Sequence, residues 1–286
     1  MKVLCFGSLN IDYVYQVDHI VSSGETEKTS GVNVNCGGKG LNQSVALSRA
    51  GVKVWHAGMV GKEGDVLIEK CVQNEVNADF VRKTDGRSGH TIIQVDKDGN
   101  NSILLFGGAN QSMTVEFIDE VIDNFDEGDM ILLQNEVNLL NVIIDKAYEK
   151  GLIIVLNPSP YNEALNECDM SKVSYFLLNE IEGEQMTGEK EPEKILKEIN
   201  KMYPSAKVVL TLGENGAFYL KDNKTYYQSA FKVKAVDTTA AGDTFTGYFI
   251  ASVIKGMNPE EGLELAARAS SIAVTIPGAI DSIPKL

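Results

Sequence analysis

The stretch Met130-Ile-Leu-Leu133, followed at once by Gln134-Asn-Glu136, decides the fold. An unbroken apolar run of this length is typical of a strand that is buried on both faces, and the polar residues mark its end. The pattern returns in three later runs: Leu152–Leu156 before Asn157, Tyr175–Leu178 before Asn179, and Val208–Leu212 before Gly213. Helical stretches separate the early runs. We therefore predict an α/β fold with a mostly parallel, doubly wound sheet and helices on both faces.

The polar residues that end these runs predict a cleft. In sheets of this kind, ligands bind beyond the carboxyl ends of the strands. The sequence thus nominates Glu136, Asn157, Asn179 and Thr211–Gly213 as cleft residues. Ordinary loop polarity is the alternative for any single cluster, and it is a weaker explanation for four clusters together.

A second, smaller sheet is predicted from strands that alternate between apolar and polar residues. Tyr13–Val17 and Thr91–Val95 alternate in this way, and the turn Asp96–Asn100 leads into Ser102–Phe106 as in a hairpin. We expect a β-sheet lid with strands at about 11–34 and 87–108, appended to a single domain that covers residues 1–286. Because a small sheet with exposed edges favours pairing with a second copy, a homodimer through the lid is expected.

Composition excludes several classes of protein. The net charge of −14 disfavours binding to nucleic acid or to acidic membranes, since phosphates repel such a surface. Four cysteines without a CxxC pair, and three histidines away from them, argue against a structural zinc site or a disulfide framework. No apolar run is long enough to span a membrane, and Val3–Phe6 is too short for a signal-peptide core. A cytoplasmic location is expected.

The segment Ala235-Val-Asp-Thr-Thr-Ala-Ala-Gly-Asp-Thr-Phe-Thr-Gly247 carries the chemistry. Apolar residues then recur every fourth position, at Phe245, Phe249, Val253 and Met257. This spacing predicts a helix that begins near 241–243. Small residues before it leave the N–H groups of the first turn uncovered, and such groups bind anions. A transferring phosphoryl group is an anion of this kind.

Asp243 lies in the first turn of this predicted helix, beside the anion site. A carboxylate there can accept the proton of an attacking hydroxyl group. An aspartate that merely complements the helix dipole is the alternative, and spacing alone leaves it open. A P-loop is not supported, because Asn33 stands where its first glycine would have to be, and no GxGxxG follows the first strand.

Two segments resemble the signatures of the ribokinase-like (PfkB) carbohydrate kinases. They are Gly37-Gly-Lys-Gly-Leu-Asn-Gln43 and Asp237-Thr-Thr-Ala-Ala-Gly-Asp-Thr-Phe245. The resemblance extends through Gly7–Asp12, Asn157–Pro160, Asn179–Glu182 and Thr211–Gly213, and it is strongest to the ribose-phosphorylating members. It implies the ribokinase-like fold and an ATP-dependent sugar kinase that converts D-ribose to ribose 5-phosphate. Sugar and ATP are then the small-molecule partners, with Mg²⁺ and K⁺ as cofactors.

The resemblance also implies four groups of site residues. The catalytic group consists of the base Asp243 and an anion hole at Ala240, Ala241 and Gly242. The sugar group consists of Asn10, Asp12, Gly38, Lys39, Asn42 and Glu136. The nucleotide group consists of Asn179, Glu182, Thr211, Gly213 and Gly216. The potassium group consists of Asp237, Thr239, Ala273, Ile276, Gly278 and Ser282. For Asn10, Asp12, Asn42 and Glu136, each taken alone, a capping or turn role is at least as good an explanation, and for Lys39 a position in solvent is an equal alternative.

The acceptor stays open at this point. A PfkB kinase for fructose, ketodeoxygluconate or a nucleoside keeps the same motifs. A nucleoside would need an apolar surface for its base, whereas an acidic sugar would need an arginine in the pocket. All four arginines lie outside the motifs, which disfavours the acid. A non-catalytic sugar sensor is the alternative from another class, and we would expect it to lack Asp243 or the small residues before it.

Overall fold

The computed structural model describes residues 1–286 and contains two β-sheets. The strands are β1 (Val3–Phe6), β2 (Asn10–Gln16), β3 (Gly31–Gly37), β4 (Val54–Val60), β5 (Asn77–Lys83), β6 (Gly89–Val95), β7 (Asn101–Phe106), β8 (Met130–Gln134), β9 (Ile153–Asn157), β10 (Tyr175–Asn179), β11 (Lys207–Thr211), β12 (Ala217–Lys221) and β13 (Lys224–Gln228). The helices are α1 (Lys39–Arg49), α2 (Asp65–Gln73), α3 (Val115–Ile122), α4 (Leu140–Glu149), α5 (Glu180–Thr187), α6 (Pro192–Met202), α7 (Ala241–Ile254) and α8 (Pro259–Ala273).

The larger sheet has nine strands in the order β13-β12-β11-β10-β9-β8-β1-β4-β5. All neighbours from β5 to β11 run parallel. The strands β8 to β11 coincide with the four apolar runs of the sequence, and their central residues are fully buried. The predicted α/β fold is confirmed.

Successive strand residues are buried on opposite faces of this sheet, which is why the runs are apolar throughout. On one face, Leu132 and Leu177 pack in a core with α1, α2, α7 and α8. On the other face, Leu133 and Phe176 pack with α3, α4 and α6. Helices on both faces fix the carboxyl ends of β8 to β11 along one edge, and this edge carries the site.

The last two strands, β12 and β13, form an antiparallel hairpin that the sequence analysis did not assign. Its turn is made by Asp222 and Asn223, which both adopt left-handed backbone conformations with φ of 52° and 59°. Consecutive left-handed residues are the requirement of a two-residue type I′ turn, and Asp and Asn tolerate them well.

The smaller sheet has the strand order β3-β2-β6-β7. It contains the strands expected at 11–34 and 87–108, so the predicted second sheet is confirmed, while its action as a lid stays a prediction. Strand β2 begins at Asn10, earlier than the predicted Tyr13, so Asn10 and Asp12 are strand residues. Large apolar side chains are exposed on both faces of this sheet: the strand register places Val32, Val34, Ile92, Leu104 and Phe106 on one face and Ile103 and Leu105 on the other.

The start of α1 packs directly on the end of β1. A Cβ atom at Gly40 would lie 2.5 Å from the backbone nitrogen of Ser8, so only glycine fits there. Gly38 precedes the helix with a left-handed φ of 95°. The helix begins at Lys39, and the first-turn N–H groups of Gly40 and Leu41 bond to the hydroxyl and carbonyl oxygens of Ser8.

None of the eight helices combines the length and the apolar character that crossing a lipid bilayer requires.

Candidate active site

A cavity of about 240 Å³ opens at the carboxyl ends of β9, β10 and β11, between them and the start of α7. Its polar and small lining residues are Lys39, Asn157, Ser159, Asn179, Glu182, Thr211, Thr238, Ala240, Ala241, Gly242, Asp243 and Thr246. Three of the four clusters expected at the cleft therefore meet here. Glu136 does not line the cavity, but it accepts a hydrogen bond from the backbone N–H of Lys39, which does. Gly213 and Gly216 lie outside the cavity lining.

Helix α7 begins at Ala241, as its apolar spacing predicts. Ala240 precedes it in a left-handed conformation with φ of 58°, and no side chain caps the helix. The backbone N–H groups of Gly242 and Asp243 have no protein acceptor. Because such groups carry the positive end of the helix dipole, this turn is suited to hold the oxygens of a phosphoryl group.

The carboxylate of Asp243 is nearly buried, with 9% exposure, and is held from α1. Asn42 Nδ2 donates to Asp243 Oδ2 at 2.9 Å, and Gln43 Nε2 donates to Asp243 Oδ1 at 2.9 Å. No N–H group of its own helix bonds to it. The carboxylate is thus oriented by a neighbouring helix rather than used as a cap, which favours the chemical role over the dipole alternative.

Lys39 and Glu136 form the charged wall beside Asp243. Glu136 Oε2 accepts hydrogen bonds from the Ser8 hydroxyl group and from the backbone N–H of Lys39. Burial lowers the pKa of Lys39, but the charges of Asp243, Glu136 and Glu182 outweigh it and raise the pKa above its usual range. Burial raises the pKa of Glu136, although Lys39 opposes this. Lys39 therefore stays a cation among carboxylates and lines the cavity.

Two further residues expected in the sugar group, Asn10 and Asp12, lie on β2 with their side chains fixed by partners. Asn110 Nδ2 donates to Asn10 Oδ1 at 2.7 Å, so the amide nitrogen of Asn10 remains available. Thr91 Oγ1 donates to Asp12 Oδ1 at 2.6 Å. Burial raises the pKa of Asp12 to about 6, the Thr91 hydrogen bond opposes the rise, and the charge of Glu136 adds to it.

Asn42 carries an unpaired acceptor. Its Oδ1 atom is buried and has no hydrogen-bond partner, while its nitrogen holds Asp243. A buried carbonyl oxygen without a partner is unfavourable by about 1–3 kcal/mol, and a ligand hydroxyl group would relieve this.

Asn179 and Glu182 form a reciprocal capping box at the start of α5. Asn179 Oδ1 accepts from Glu182 N at 2.9 Å, and Asn179 N donates to Glu182 Oε2 at 3.0 Å. The motif thus has a structural role as well as any ligand role. The amide nitrogen of Asn179 and the second oxygen of Glu182 are left for the cavity. Thr211 donates weakly to the Leu178 carbonyl, at 3.4 Å.

The residues expected in the potassium group lie in two loops that contact each other. Asp237 Oδ1 accepts from Thr239 N at 2.9 Å, and Asp237 Oδ2 accepts from Gly278 N at 2.8 Å. Burial raises the pKa of Asp237, but these hydrogen bonds outweigh it and lower the pKa below its usual range. Ser282 is fully buried and donates to the Ala279 carbonyl. Carboxylate and carbonyl oxygens are the donor type that suits a weakly hydrated cation, and both oxygens of Asp237 already accept backbone N–H groups here.

Sequence reasoning missed five supporting residues: Ser8, Gln43, Thr91, Asn110 and Gln134. Gln43 lies within the GGKGLNQ segment and Gln134 ends an apolar run, so position alone could have suggested both. No sequence signal indicates Thr91 and Asn110, because their partners Asp12 and Asn10 are 79 and 100 residues away.

Comparison with known proteins extends this description. The family model of the pfkB family carbohydrate kinases matches residues 1–286. The ribokinase of Staphylococcus aureus strain COL is 32% identical over 301 residues, covering 100% of this chain and 97% of that protein. The deoxyribokinase of Salmonella typhi is 31% identical over 302 residues, covering 100% of this chain and 96% of that protein.

A solved structure agrees with these relatives. The Arabidopsis thaliana ribokinase complexed with ribose and ATP has a TM-score of 0.87 and 27% sequence identity, covering 99% of this chain and 95% of that chain. The resemblance stated from the two sequence motifs is confirmed. The chain belongs to the pfkB family of carbohydrate kinases, phosphotransferases that act on an alcohol group.

Proposed function

We propose that this chain transfers the γ-phosphoryl group of ATP to the 5-hydroxyl group of D-ribose and forms ribose 5-phosphate. The observation that carries the proposal is the position of Asp243. Its carboxylate is fixed by two amides at the start of α7, where two N–H groups have no protein acceptor. A proton acceptor and an anion site within one helical turn are what phosphoryl transfer to an alcohol requires.

The residues divide the chemistry between them. Asp243 accepts the proton of the sugar hydroxyl group as the oxygen attacks phosphorus. The N–H groups of Gly242 and Asp243, together with the ammonium group of Lys39, stabilise the negative charge on the phosphoryl oxygens. Because all these groups are held before substrate arrives, little reorganisation is needed in the transition state.

The polar groups beside Asp243 suit a polyol. Asn42 Oδ1 is a buried acceptor that a sugar hydroxyl group would satisfy. Asn10 offers an amide nitrogen, and Asp12 offers its second carboxylate oxygen. Donors and acceptors that converge in this way reject a ligand that lacks the matching hydroxyl groups. The acceptors that the names ribokinase and deoxyribokinase denote differ from each other at the 2-hydroxyl group.

The nucleotide would occupy the cavity between β10, β11 and α7. The Arabidopsis thaliana ribokinase was solved in complex with ribose and ATP. In this chain, Asn179, Glu182 and Thr211 supply polar groups to the lining of the cavity. Gly213 and Gly216 would form the adjoining nucleotide loop. Glu182 and Asn179 fit Mg²⁺, which would neutralise phosphate charge while held through carboxylate and water. The Asp237 and Gly278 loops fit K⁺, which would keep the turn before α7 in place.

The exposed apolar side chains of the smaller sheet support a homodimer through that sheet, since burying apolar surface against a second copy is favourable. All four cysteines are free thiols, which supports the cytoplasm as the location. Light scattering at micromolar concentration tests the dimer, and a monomer there would contradict it.

A panel of acceptors tests the activity. Purified protein with ATP and Mg²⁺ would be offered D-ribose, 2-deoxy-D-ribose, D-fructose, 2-keto-3-deoxygluconate and inosine, with ADP release measured for each. We expect the largest kcat/KM for D-ribose. A larger kcat/KM for another acceptor would overturn the ribose assignment. An absence of acceptor-dependent ADP release would overturn the kinase proposal and favour a sugar sensor.

The variant Asp243→Asn tests the role of Asp243 as the base. It keeps an oxygen for one of the two amides but cannot take the proton. We expect kcat to fall by about 10²–10⁴-fold while circular dichroism and Tm stay close to the wild type. Wild-type turnover in this variant would remove Asp243 from the mechanism.

A further inference from the structure

A chain of buried side-chain amides runs behind Asp243, away from the cavity. Gln43 Nε2 donates to Asp243 Oδ1 at 2.9 Å, and Gln134 Nε2 donates to Gln43 Oε1 at 2.7 Å. Gln134 Nε2 also approaches the sulfur of Cys5 at 3.7 Å. Gln43 and Gln134 are both fully buried. Neither residue lines the cavity.

The hydrogen bond between the two glutamines fixes which end of the Gln43 amide donates and which end accepts. An amide has a donor end and an acceptor end, and only one arrangement turns the NH₂ group of Gln43 towards the carboxylate. If Gln43 were turned over, its oxygen would face the Asp243 oxygen, and its NH₂ group would face the NH₂ group of Gln134. The hydrogen bond from Gln134 therefore selects the orientation in which Gln43 supports the anionic form of Asp243.

This arrangement has an energetic disadvantage that packing alone does not explain. The Oε1 atom of Gln134 is buried without a partner and faces the backbone of Gly7, where a Cβ atom would lie 2.2 Å from it. An unsatisfied buried acceptor destabilises a fold, and an apolar side chain of the same size would avoid this. A fold that retains such a group gains something else from it.

We propose that Gln43 is a positioning residue for the base Asp243 and that Gln134 fixes the orientation in which Gln43 acts. Asn42 holds one carboxylate oxygen and Gln43 holds the other, so the carboxylate cannot rotate about its last torsion angle, which is otherwise soft. The carboxylate therefore keeps one fixed orientation towards the cavity.

Other charged and titratable groups surround the same carboxylate. Lys39 of α1 attracts it, the Cys5 thiol faces it from β1, and Glu136 faces it from the turn after β8. Glu182 lines the opposite wall of the cavity. Because Gln43 is uncharged and is hydrogen-bonded to Asp243, its loss changes hydrogen bonding while the surrounding charges stay in place. A change in the pH profile of a Gln43 variant therefore reports on the hydrogen bond.

The test compares Gln43→Met and Gln134→Met with a neighbour on the same helix. Methionine has nearly the volume of glutamine but no donor, and it tolerates irregular packing. Ser44→Ala is the matched control, because Ser44 is equally buried on α1 but bonds to His56 rather than to Asp243. The inference rests on the proposed kinase activity, so kcat, KM and their pH dependence are measured with the best acceptor of the wild type.

For Gln43→Met we expect kcat to fall by about 10–10²-fold, since a small misplacement of a catalytic group has effects of this size. The acid limb of the kcat profile should move up by about one pH unit. The KM values for sugar and ATP should change less than about threefold. Gln134→Met should shift kcat and the acid limb in the same direction, by less, with a Tm close to that of the wild type, because it removes one unpaired acceptor at Gln134 and leaves another at Gln43.

Each result decides the matter. If the wild type has no kinase activity, the proposed function is wrong and this inference falls with it. If the wild type is active but both glutamine variants keep its kcat and its acid limb, the inference alone is wrong. A fall in kcat that merely follows a fall in Tm, as it would in Ser44→Ala, also overturns it. If Gln43→Met does not fold, the kcat, acid limb and Tm of Gln134→Met decide the question.

Discussion

Replacing Asp12 by asparagine is expected to stabilise the folded protein at neutral pH while it weakens sugar binding. Burial raises the pKa of Asp12 from 3.8 to about 6, the Thr91 hydrogen bond opposes the rise, and the charge of Glu136 adds to it. The folded state therefore binds this proton more tightly than the unfolded state does. The contribution of Asp12 to the free energy of unfolding is therefore most favourable below about pH 4, and it is lost as the pH rises through about 6.

The structure sets the size of the effect. A rise of about two pH units corresponds to about 3 kcal/mol. Because Asp12 is only half-buried, water screens part of this, and we expect about 2 kcal/mol at pH 8. Asparagine keeps an oxygen for the Thr91 hydroxyl group and removes the charge next to Glu136. The Asp12→Asn variant therefore escapes the loss that the wild type suffers above pH 6.

Urea unfolding of both proteins between about pH 4 and pH 8 measures the difference. The free energies of unfolding should agree near pH 4 and separate by about 2 kcal/mol in favour of the variant near pH 8. Asp98→Asn serves as the control, because Asp98 is exposed at the tip of the hairpin between β6 and β7. A difference independent of pH, or a variant less stable than the wild type at pH 8, would refute the reasoning.

Three shorter predictions concern the other groups. A Cβ atom at Gly242 would meet no protein atom within 4 Å, so Gly242→Ala should leave Tm unchanged, while its methyl group beside the free N–H groups should lower kcat by about tenfold or more in steady-state assays. Asn42→Ala removes both a hold on Asp243 and the unpaired acceptor, so the sugar KM should rise by about tenfold and kcat should fall; an equal loss of ATP affinity by calorimetry would contradict this division of roles. Potassium should raise wild-type kcat over a tetramethylammonium control at equal ionic strength, and Asp237→Ala should abolish the difference; a wild type indifferent to potassium would remove the cation group.

The central fold was predictable because its signal is local. The runs that became β8 to β11 are apolar throughout, and the polar residue that ends each run is adjacent in sequence. The start of α7 was predictable for the same reason, since its apolar residues repeat along one stretch. The hairpin β12–β13 was missed because its strands mix apolar and polar residues and do not form apolar runs like those of β8 to β11, and only the conformation of Asp222 and Asn223 identifies the turn.

The supporting contacts of the site could not be predicted from the sequence. Asp243 was singled out by its place in the first turn of a helix, but the amides that hold it come from α1, 200 and 201 residues away. Tertiary packing decides which side chains meet, and a single sequence does not record it. Asn179 and Glu182 illustrate the reverse case, because their spacing indicates a capping box as well as a ligand role, and the structure contains the capping box.

The chain crosses between the two sheets four times, and the crossing from β3 to α1 consists of one residue, Gly38. A linker of one residue cannot absorb a movement of the strand without a change in its own backbone angles or in the helix. If a sugar draws the smaller sheet inward through Asp12, that movement must turn the backbone of Gly38 or pull on the first turns of α1, which carry Lys39, Asn42 and Gln43. Sugar binding would then also change the position of the residues of α1 that hold the base Asp243. Water has no set of hydroxyl groups with which to draw the sheet, so this linkage would protect ATP from futile hydrolysis while no sugar is bound.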